Sequence, residues 1–188
     1  MSAPLDRRSA AGWCGFDWAN SLFPAIVLTF VIPAYFTEAV MSDAATATTW
    51  WAIMTGAAAF AVAVLGPVLG AIADQGRRRK PWLAAFTIVM ALGSALLWFV
   101  PPSADFAILL LVLVGVSVVA FELSMVFYNA LLPTLVPRSW VGRVSGWAWG
   151  LGYFGGVGGL LVVLFGFVLA KPPPFGLDAS GDVLAHIR

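Results

Sequence analysis

Charged residues are scarce in this sequence: Asp, Glu, Lys and Arg make up only 10% of its 188 residues. Hydrophobic residues supply 61% of the chain, and the mean hydropathy of +0.95 lies far outside the balance of soluble domains. A soluble fold could not hide that much apolar surface from water, so this class is excluded. The net charge of +1 also leaves no basic patch for a nucleic acid.

Cysteine and histidine are nearly absent as well. The one cysteine, Cys14, excludes an internal disulfide, and the one histidine, His186, lies far from it in the sequence. Because a nucleophile with a base and a cluster of metal ligands are both missing, we expect neither an enzyme, nor a metal site, nor another cofactor. An intramembrane enzyme built on Glu122 and Asn129 is the least favoured alternative. No Gly-x-x-x-x-Gly-Lys-Ser/Thr loop is present, so ATP is not the direct energy source.

Long apolar runs are what the chain has instead. The stretch from Ala44 to Ala73 contains no charged residue and exceeds the roughly 20 residues with which a helix crosses about 30 Å of hydrocarbon. Since a backbone in lipid must satisfy its own hydrogen bonds, each run should be a helix. The sequence predicts an all-α polytopic membrane protein with a five-helix region at 16–170. The expected spans are 16–36, 50–73, 82–100, 106–131 and 146–170, between an amino-terminal segment at 1–15 and a loop at 171–188.

Basic residues are segregated by this pattern of spans. Only Lys171 and Arg188 fall on one side, and the residues on the other side are Arg7, Arg8, Arg77, Arg78, Arg79, Lys80, Arg138 and Arg143. By the positive-inside rule the second side is cytoplasmic, which places the amino terminus in the cytoplasm. The nine tryptophans fall at or near the predicted span ends, where indole rings favour the headgroup region. We expect a multi-pass protein of a bacterial-type inner membrane or a vacuolar membrane.

The loop between the second and third spans carries a recognisable pattern. Gly70-x-x-x-Asp74-Gln75, followed by Arg78-Arg79, resembles the Gly-x-x-x-Asp-Arg/Gln-x-Gly-Arg-Arg/Lys loop of the major facilitator superfamily, with Arg77 at the position of the second glycine. Other stretches resemble the autophagy-related vacuole amino-acid effluxer branch of that superfamily. These stretches are Phe16 to Ser21, Phe127 to Pro133, Gly142 to Gly146 and Gly152 to Gly156.

This resemblance implies a twelve-span transporter, of which the chain holds the first five spans, before a missing sixth span and a missing carboxyl-terminal half. It implies secondary active transport of a small solute, such as amino-acid efflux, by alternating access and coupled to a proton or another ion. It also implies that Gly70, Asp74 and Arg78 form a cytoplasmic gating loop that latches the two halves. A non-transporting membrane scaffold or a defunct transporter fragment is the open alternative.

Polar residues inside the spans are the candidates for the transport cavity. Glu122 lies roughly 16 Å from the cytoplasmic end of its helix, close to the bilayer midplane. Because a charged carboxylate is costly in lipid, Glu122 should face a cavity or bind a proton. Gly115, Glu122 and Asn129 recur at intervals of seven and share one face, which should point inward. The structural alternative is a neutral Glu122 that is hydrogen-bonded to another helix.

The first span offers a second polar face. Asp17, Asn20 and Ser21 share it near the cytoplasmic end of the helix, ahead of Pro24 and Pro33, which favour bending. This face is a candidate for the cytoplasmic gate and the transport cavity. The alternative is that Asp17 caps the helix start or forms an interhelical hydrogen bond.

The fifth span is rich in glycine. Gly152, Gly155, Gly156 and Gly159 form overlapping four-residue spacings, which let another helix approach the backbone closely. We therefore interpret these glycines as a helix-packing surface.

Overall fold

The computed structural model of the protein describes residues 5–76 and 79–170, with side chains for all of these except 74–76. Within these ranges the chain is almost entirely helical and contains no strand. Five of the described helices are long and apolar enough, by length and composition, to cross a membrane. The predicted all-α class of a multi-pass membrane protein is confirmed.

The first span, Arg7–Val40, is a series of helical segments joined end to end. It consists of α1 (Arg7–Asn20), a π-helical segment (Pro24–Phe30), α2 (Val31–Tyr35) and a second π-helical segment (Phe36–Val40). The other spans are formed by α3 (Ala44–Gly76), α4 (Arg79–Leu96), α5 (Ala107–Leu135) and α6 (Val141–Val163), which ends in a π-helical turn (Leu164–Val168). Short 3₁₀ turns at Leu97–Phe99 and Ala104–Phe106 connect α4 to α5.

Prolines account for the irregular middle of the first span. Pro24 and Pro33 have no N–H, so each removes one regular hydrogen bond to the carbonyl four residues earlier. π-helical turns follow each of these interruptions, as is common where the regular ladder is broken. The first span therefore changes helix type along its length, whereas α5 is one continuous α-helix.

The start of α1 is fixed by Asp6. The Asp6 carboxylate accepts hydrogen bonds from the Ser9 hydroxyl at 2.6 Å and from the Arg8 backbone N–H at 3.0 Å. These two bonds, the one from Ser9 first, hold the pKa of the Asp6 carboxyl below its usual range. The helix thus begins ahead of residue 16, where we placed the first span. Since a helix can extend beyond the hydrocarbon, the limits of the span itself stay a prediction.

α5 lies at the centre of the bundle. In the most hydrophobic stretch of the fourth span, 50% of the residues are buried inside the protein, against 11% in the second span and 6% in the third. α5 packs against α3 and α4, whereas α6 packs mainly against α1. The bundle therefore contains two groups, an α3–α4–α5 group and an α1–α6 pair, which meet where the first span contacts α3 and α5.

A small-residue contact joins α4 to α5. The Ser117 hydroxyl donates to the Leu113 carbonyl at 2.8 Å and occupies the place that a Cβ on Gly93 would take. Trp82 and Phe86 of α4 stack on Phe127 of α5, with ring centroids 6.0 and 5.9 Å away. Close backbone approach and aromatic stacking together fix this pair of helices.

Candidate functional site

The first and fourth spans are locked together at the basic end, which we define as the end where α1 begins and α3 connects to α4. Trp13 Nε1 donates to the Tyr128 carbonyl at 3.2 Å, and the Tyr128 hydroxyl donates to the Trp13 carbonyl at 3.1 Å. Their rings stack with centroids 4.2 Å apart and planes inclined by 7°. This reciprocal pair fixes the rotation and depth of α1 against α5, which positions the polar residues that follow in both helices.

Asp17 lies one turn after Trp13 and faces α6. The residue is only 7% exposed, and a Cβ on Gly152 would lie 2.7 Å from its Oδ2. Among the described residues, no cation or hydrogen-bond donor pairs with this carboxylate; the nearby Ser21 hydroxyl donates to the Asp17 backbone carbonyl instead. Asp17 is thus a buried acid without a protein partner in this part of the chain.

The capping role that we considered for Asp17 is wrong. Asp6 is the N-cap of α1, and Asp17 lies about 15 Å along the helix from Arg7, by the rise of an α-helix. Sequence reasoning missed this because we started the helix where the apolar run starts, at Phe16. The polar Arg7–Gly15 stretch continues the same helix on its amino-terminal side.

A cavity of about 430 Å³ lies between the first and fifth spans, with Asp17 in its wall. The rings of Trp149 and Tyr153 on α6 also line it and meet edge to face, with centroids 5.9 Å apart. The other polar or aromatic lining residues are Ser21, Thr29 and Phe30. An acid, hydroxyls and aromatic rings therefore face one space within an otherwise apolar region.

Asn20 connects this cavity to the fourth span. The residue is 5% exposed, and its Nδ2 donates to the Met125 Sδ at 3.2 Å. Its Oδ1 is buried and has no hydrogen-bond partner in the described ranges, an arrangement that costs about 1–3 kcal/mol. Met125, which also lines the Asp17 cavity, was absent from our predicted site. Its signal in the sequence is its position between Glu122 and Asn129 on one helix face.

Glu122 and Asn129 lie on the exposed side of α5. Glu122 lines a separate cavity of about 470 Å³, where Leu28 of the first span and Thr55 of the second span are among its neighbours. Gly115 does not open into this cavity: a Cβ on it would lie 3.4 Å from Met54 Cγ of α3. The structure thus brings Asp17 and Asn20 to Met125, one helical turn from both Glu122 and Asn129, but places Glu122 and Asp17 in different cavities.

The glycines of α6 lie against α1. A Cβ on Gly155 would occupy the position of the Trp18 carbonyl oxygen, and one on Gly159 would meet the Leu22 side chain. On Gly156 it would lie 3.4 Å from the Ser21 carbonyl oxygen. The absence of side chains at these positions lets α6 approach the α1 backbone, and at Gly152 it leaves room for the Asp17 carboxylate.

The predicted gating loop is described only in part. Gly70 belongs to α3, with open space around it among the described residues. The Asp74 side chain and all of Arg78 lie outside the described residues. Arg79, the next basic residue, donates from Nη1 to the Ala130 carbonyl of α5 at 2.8 Å. Pro133 lies inside α5 and removes the backbone donor to the carbonyl of Asn129, four residues earlier, so it is no direct sequence signal for the Arg79–Ala130 contact.

Comparisons with known proteins agree with this architecture. The model of the family "Vacuole effluxer Atg22 like" matches residues 39–141. A curated relative, the "Uncharacterized MFS-type transporter YxiO" of Bacillus subtilis (strain 168), is 32% identical over 171 residues, which are 89% of this chain. The chain covers 40% of the length of that relative. No solved structure matches the chain.

Proposed function

Since the chain belongs to the Atg22-like family of vacuole effluxers, within the major-facilitator-type transporters, we propose that its spans form the amino-terminal part of a secondary transporter that moves a small solute by alternating access. Amino acids moving outward are the proposed cargo, and a proton is the proposed coupling ion. The activity is assigned to a protein in which a sixth span and a carboxyl-terminal half complete these five spans.

The exposed polar side of α5 carries the proposal. The fourth span is the most buried of the five, yet Glu122 and Asn129 on it are exposed. An acid and an amide are costly against lipid, so this side of the helix belongs to a water-filled cavity or to a second part of the transporter. Either environment supports a solute or ion pathway along α5.

Asp17 and Asn20 extend this pathway onto the first span. Both are buried, and Asn20 reaches α5 through Met125, which lies one turn from Glu122. We assign Glu122 to ion coupling, because a carboxylate near the midplane can take up and release a proton. Asn129 and Asn20 are assigned to the wall of the cavity.

The orientation of the bundle follows from its basic end. We place this end and the amino terminus in the cytoplasm because Arg7, Arg8, Arg79 and Lys80 lie there. The hydrogen bond from Arg79 to α5 supports a role for the adjacent Gly70, Asp74 and Arg78 segment in holding the cytoplasmic side closed. Opening would then require this segment to release.

Transport assays on the full-length protein test the proposal. We expect purified protein in proteoliposomes to move a mixture of radiolabelled L-amino acids, faster with a pH gradient than without one. The Glu122→Gln substitution should abolish the dependence of the transport rate on the pH gradient. Glu38→Gln is the matched control, because it makes the same change in an exposed residue near the other end of the first span.

Two outcomes would contradict the proposal in different ways. Correctly inserted protein that moves no amino acid, under any gradient, would favour the scaffold alternative. Glu122→Gln protein that keeps its rate and its pH dependence would remove Glu122 from the coupling mechanism, and leave transport itself standing.

A further inference from the structure

We propose that the cavity around Asp17 binds the ammonium group of the transported solute. This inference rests on the proposed transport function and names the chemical class of its substrate: a small primary amine, free or as part of an amino acid. Asp17 supplies the negative charge, and the Trp149 and Tyr153 rings supply the faces beside it.

The charge of Asp17 is the first observation. A carboxylate that is only 7% exposed needs a cation or a proton, because burying an unpaired charge is costly. The lining of its cavity contains no Lys or Arg, and no other described residue donates to the carboxylate. A ligand that carries its own positive charge meets this need and remains able to leave.

The aromatic pair is the second observation. Trp149 and Tyr153 are 67% and 68% exposed and line the same cavity as Asp17. A cation is attracted to the face of such a ring within about 6 Å of its centroid. An acid beside two rings is a suitable environment for an ammonium group.

The volume and the lining of the cavity indicate what the rest of the ligand is. Its volume of about 430 Å³ lies within the range of roughly 300–1,000 Å³ that is typical of small-molecule sites. Away from Asp17 the lining includes Pro24, Val157 and Leu160, which are apolar. The cavity therefore suits an amine with a short hydrocarbon side chain.

Gly152 is the positioning residue of this site. A Cβ there would lie 2.7 Å from Asp17 Oδ2 and 2.7 Å from Ser21 Oγ, too close for either to stay in place. The glycine thus lets the acid lie between α1 and α6 at the edge of the cavity.

A pair of probes that differ in charge tests the inference. Isothermal titration of the full-length protein in detergent compares isoamylamine with isoamyl alcohol, which has the same hydrocarbon part. We expect the wild type to bind the amine at least about tenfold more tightly than the alcohol. The Asp17→Asn substitution should lower the affinity for the amine by about tenfold to a hundredfold. The same substitution should leave the affinity for the alcohol unchanged. Asp105→Asn, the same change in an exposed turn, is the control.

A second pair of variants decides the matter if Asp17→Asn protein does not fold. Trp149→Leu should weaken amine binding by about threefold to tenfold, whereas Trp149→Phe, which keeps an aromatic face, should retain most of it. Trp149 is 67% exposed, so neither change disturbs a packed core. Equal affinities of these two variants for the amine would contradict the role of the rings.

Two results would overturn the inference. The first is equal binding of amine and alcohol, and the second is an Asp17→Asn protein that binds the amine like the wild type. If that protein also loses the pH dependence of transport, Asp17 is a proton site instead. Failure of the proposed function is distinct, because it appears as an absence of solute movement by the wild-type protein.

Discussion

The contact between α4 and α5 and the contact between α1 and α6 both depend on glycine, yet they place different chemistry beside it. On α5 the partner of Gly93 is the Ser117 hydroxyl, which is already bonded within its own helix. On α1 the partner of Gly152 is the unpaired Asp17 carboxylate, beside a cavity. In the first contact the hydroxyl has its partner, whereas in the second the Asp17 carboxylate has none among the described residues.

The two groups also share a pattern of pairing. The first span packs on the fifth, as the second packs on the fourth. In the major facilitator superfamily, three-plus-three inverted repeats relate the first span to the fourth and the second to the fifth, and on that architecture these two pairs are counterparts. On that architecture Asp17 and Glu122 lie on equivalent spans of the two repeats, and their surroundings differ between the repeats.

Breaking the α1–α6 contact should have the largest effect on stability. Gly155→Leu places a side chain where the Trp18 carbonyl oxygen lies, and the backbone cannot move aside cheaply. We expect a loss of at least about 3 kcal/mol in the free energy of unfolding, or aggregation on purification. Thermal unfolding measures the loss of stability, and size-exclusion chromatography detects aggregation.

Gly158→Leu is the control for this variant, since the described residues leave open space around Gly158. If Gly155→Leu and Gly158→Leu proteins melt at the same temperature, the close approach of α6 to α1 is disproved.

The α4–α5 contact should tolerate exchange, because its partner is a side chain. Gly93→Ala alone should cost about 1–3 kcal/mol, since the new methyl group meets the Ser117 hydroxyl. Adding Ser117→Ala removes that oxygen and leaves Ser117 Cβ, 3.5 Å from the new methyl group, in ordinary contact. The double variant should therefore recover most of the loss, with a coupling of about 1–2 kcal/mol in a double-mutant cycle. Additive losses would show that the two residues do not touch.

The smallest effect concerns the start of α1, away from both contacts. The folded pKa of Asp6 lies below its usual value near 3.9, so its capping bonds are present above that pH and are lost as the pH falls through the folded pKa. As the pH falls through that folded pKa, the amides of Arg8 and Ser9 should therefore lose protection from hydrogen exchange in the wild type. An Asp6→Asn protein, whose cap does not titrate, should show no such change. Loss of protection in both proteins would contradict the assignment.

The polar residues of the site could be predicted one by one from the sequence. The contacts that these residues make with other helices could not. Glu122, Asp17 and Asn20 stand out in any hydropathy profile because polar groups are expensive in lipid. Arg79 and Met125 do not stand out, since a basic loop and a methionine in a span are ordinary features. Their contacts with Ala130 and Asn20 exist only because α5 lies between the other spans.

The sequence by itself determined the membrane class, the five helices and the polar positions, because each follows from local composition and from the need to satisfy backbone groups in lipid. Only the tertiary structure decided that α1 pairs with α6, that α5 is central, and that Asp6 rather than Asp17 caps the first helix. The physical reason is that an apolar helix face suits lipid and protein equally well. Pairing is therefore decided by close contacts such as that of Gly155 with Trp18, which no hydropathy pattern reveals.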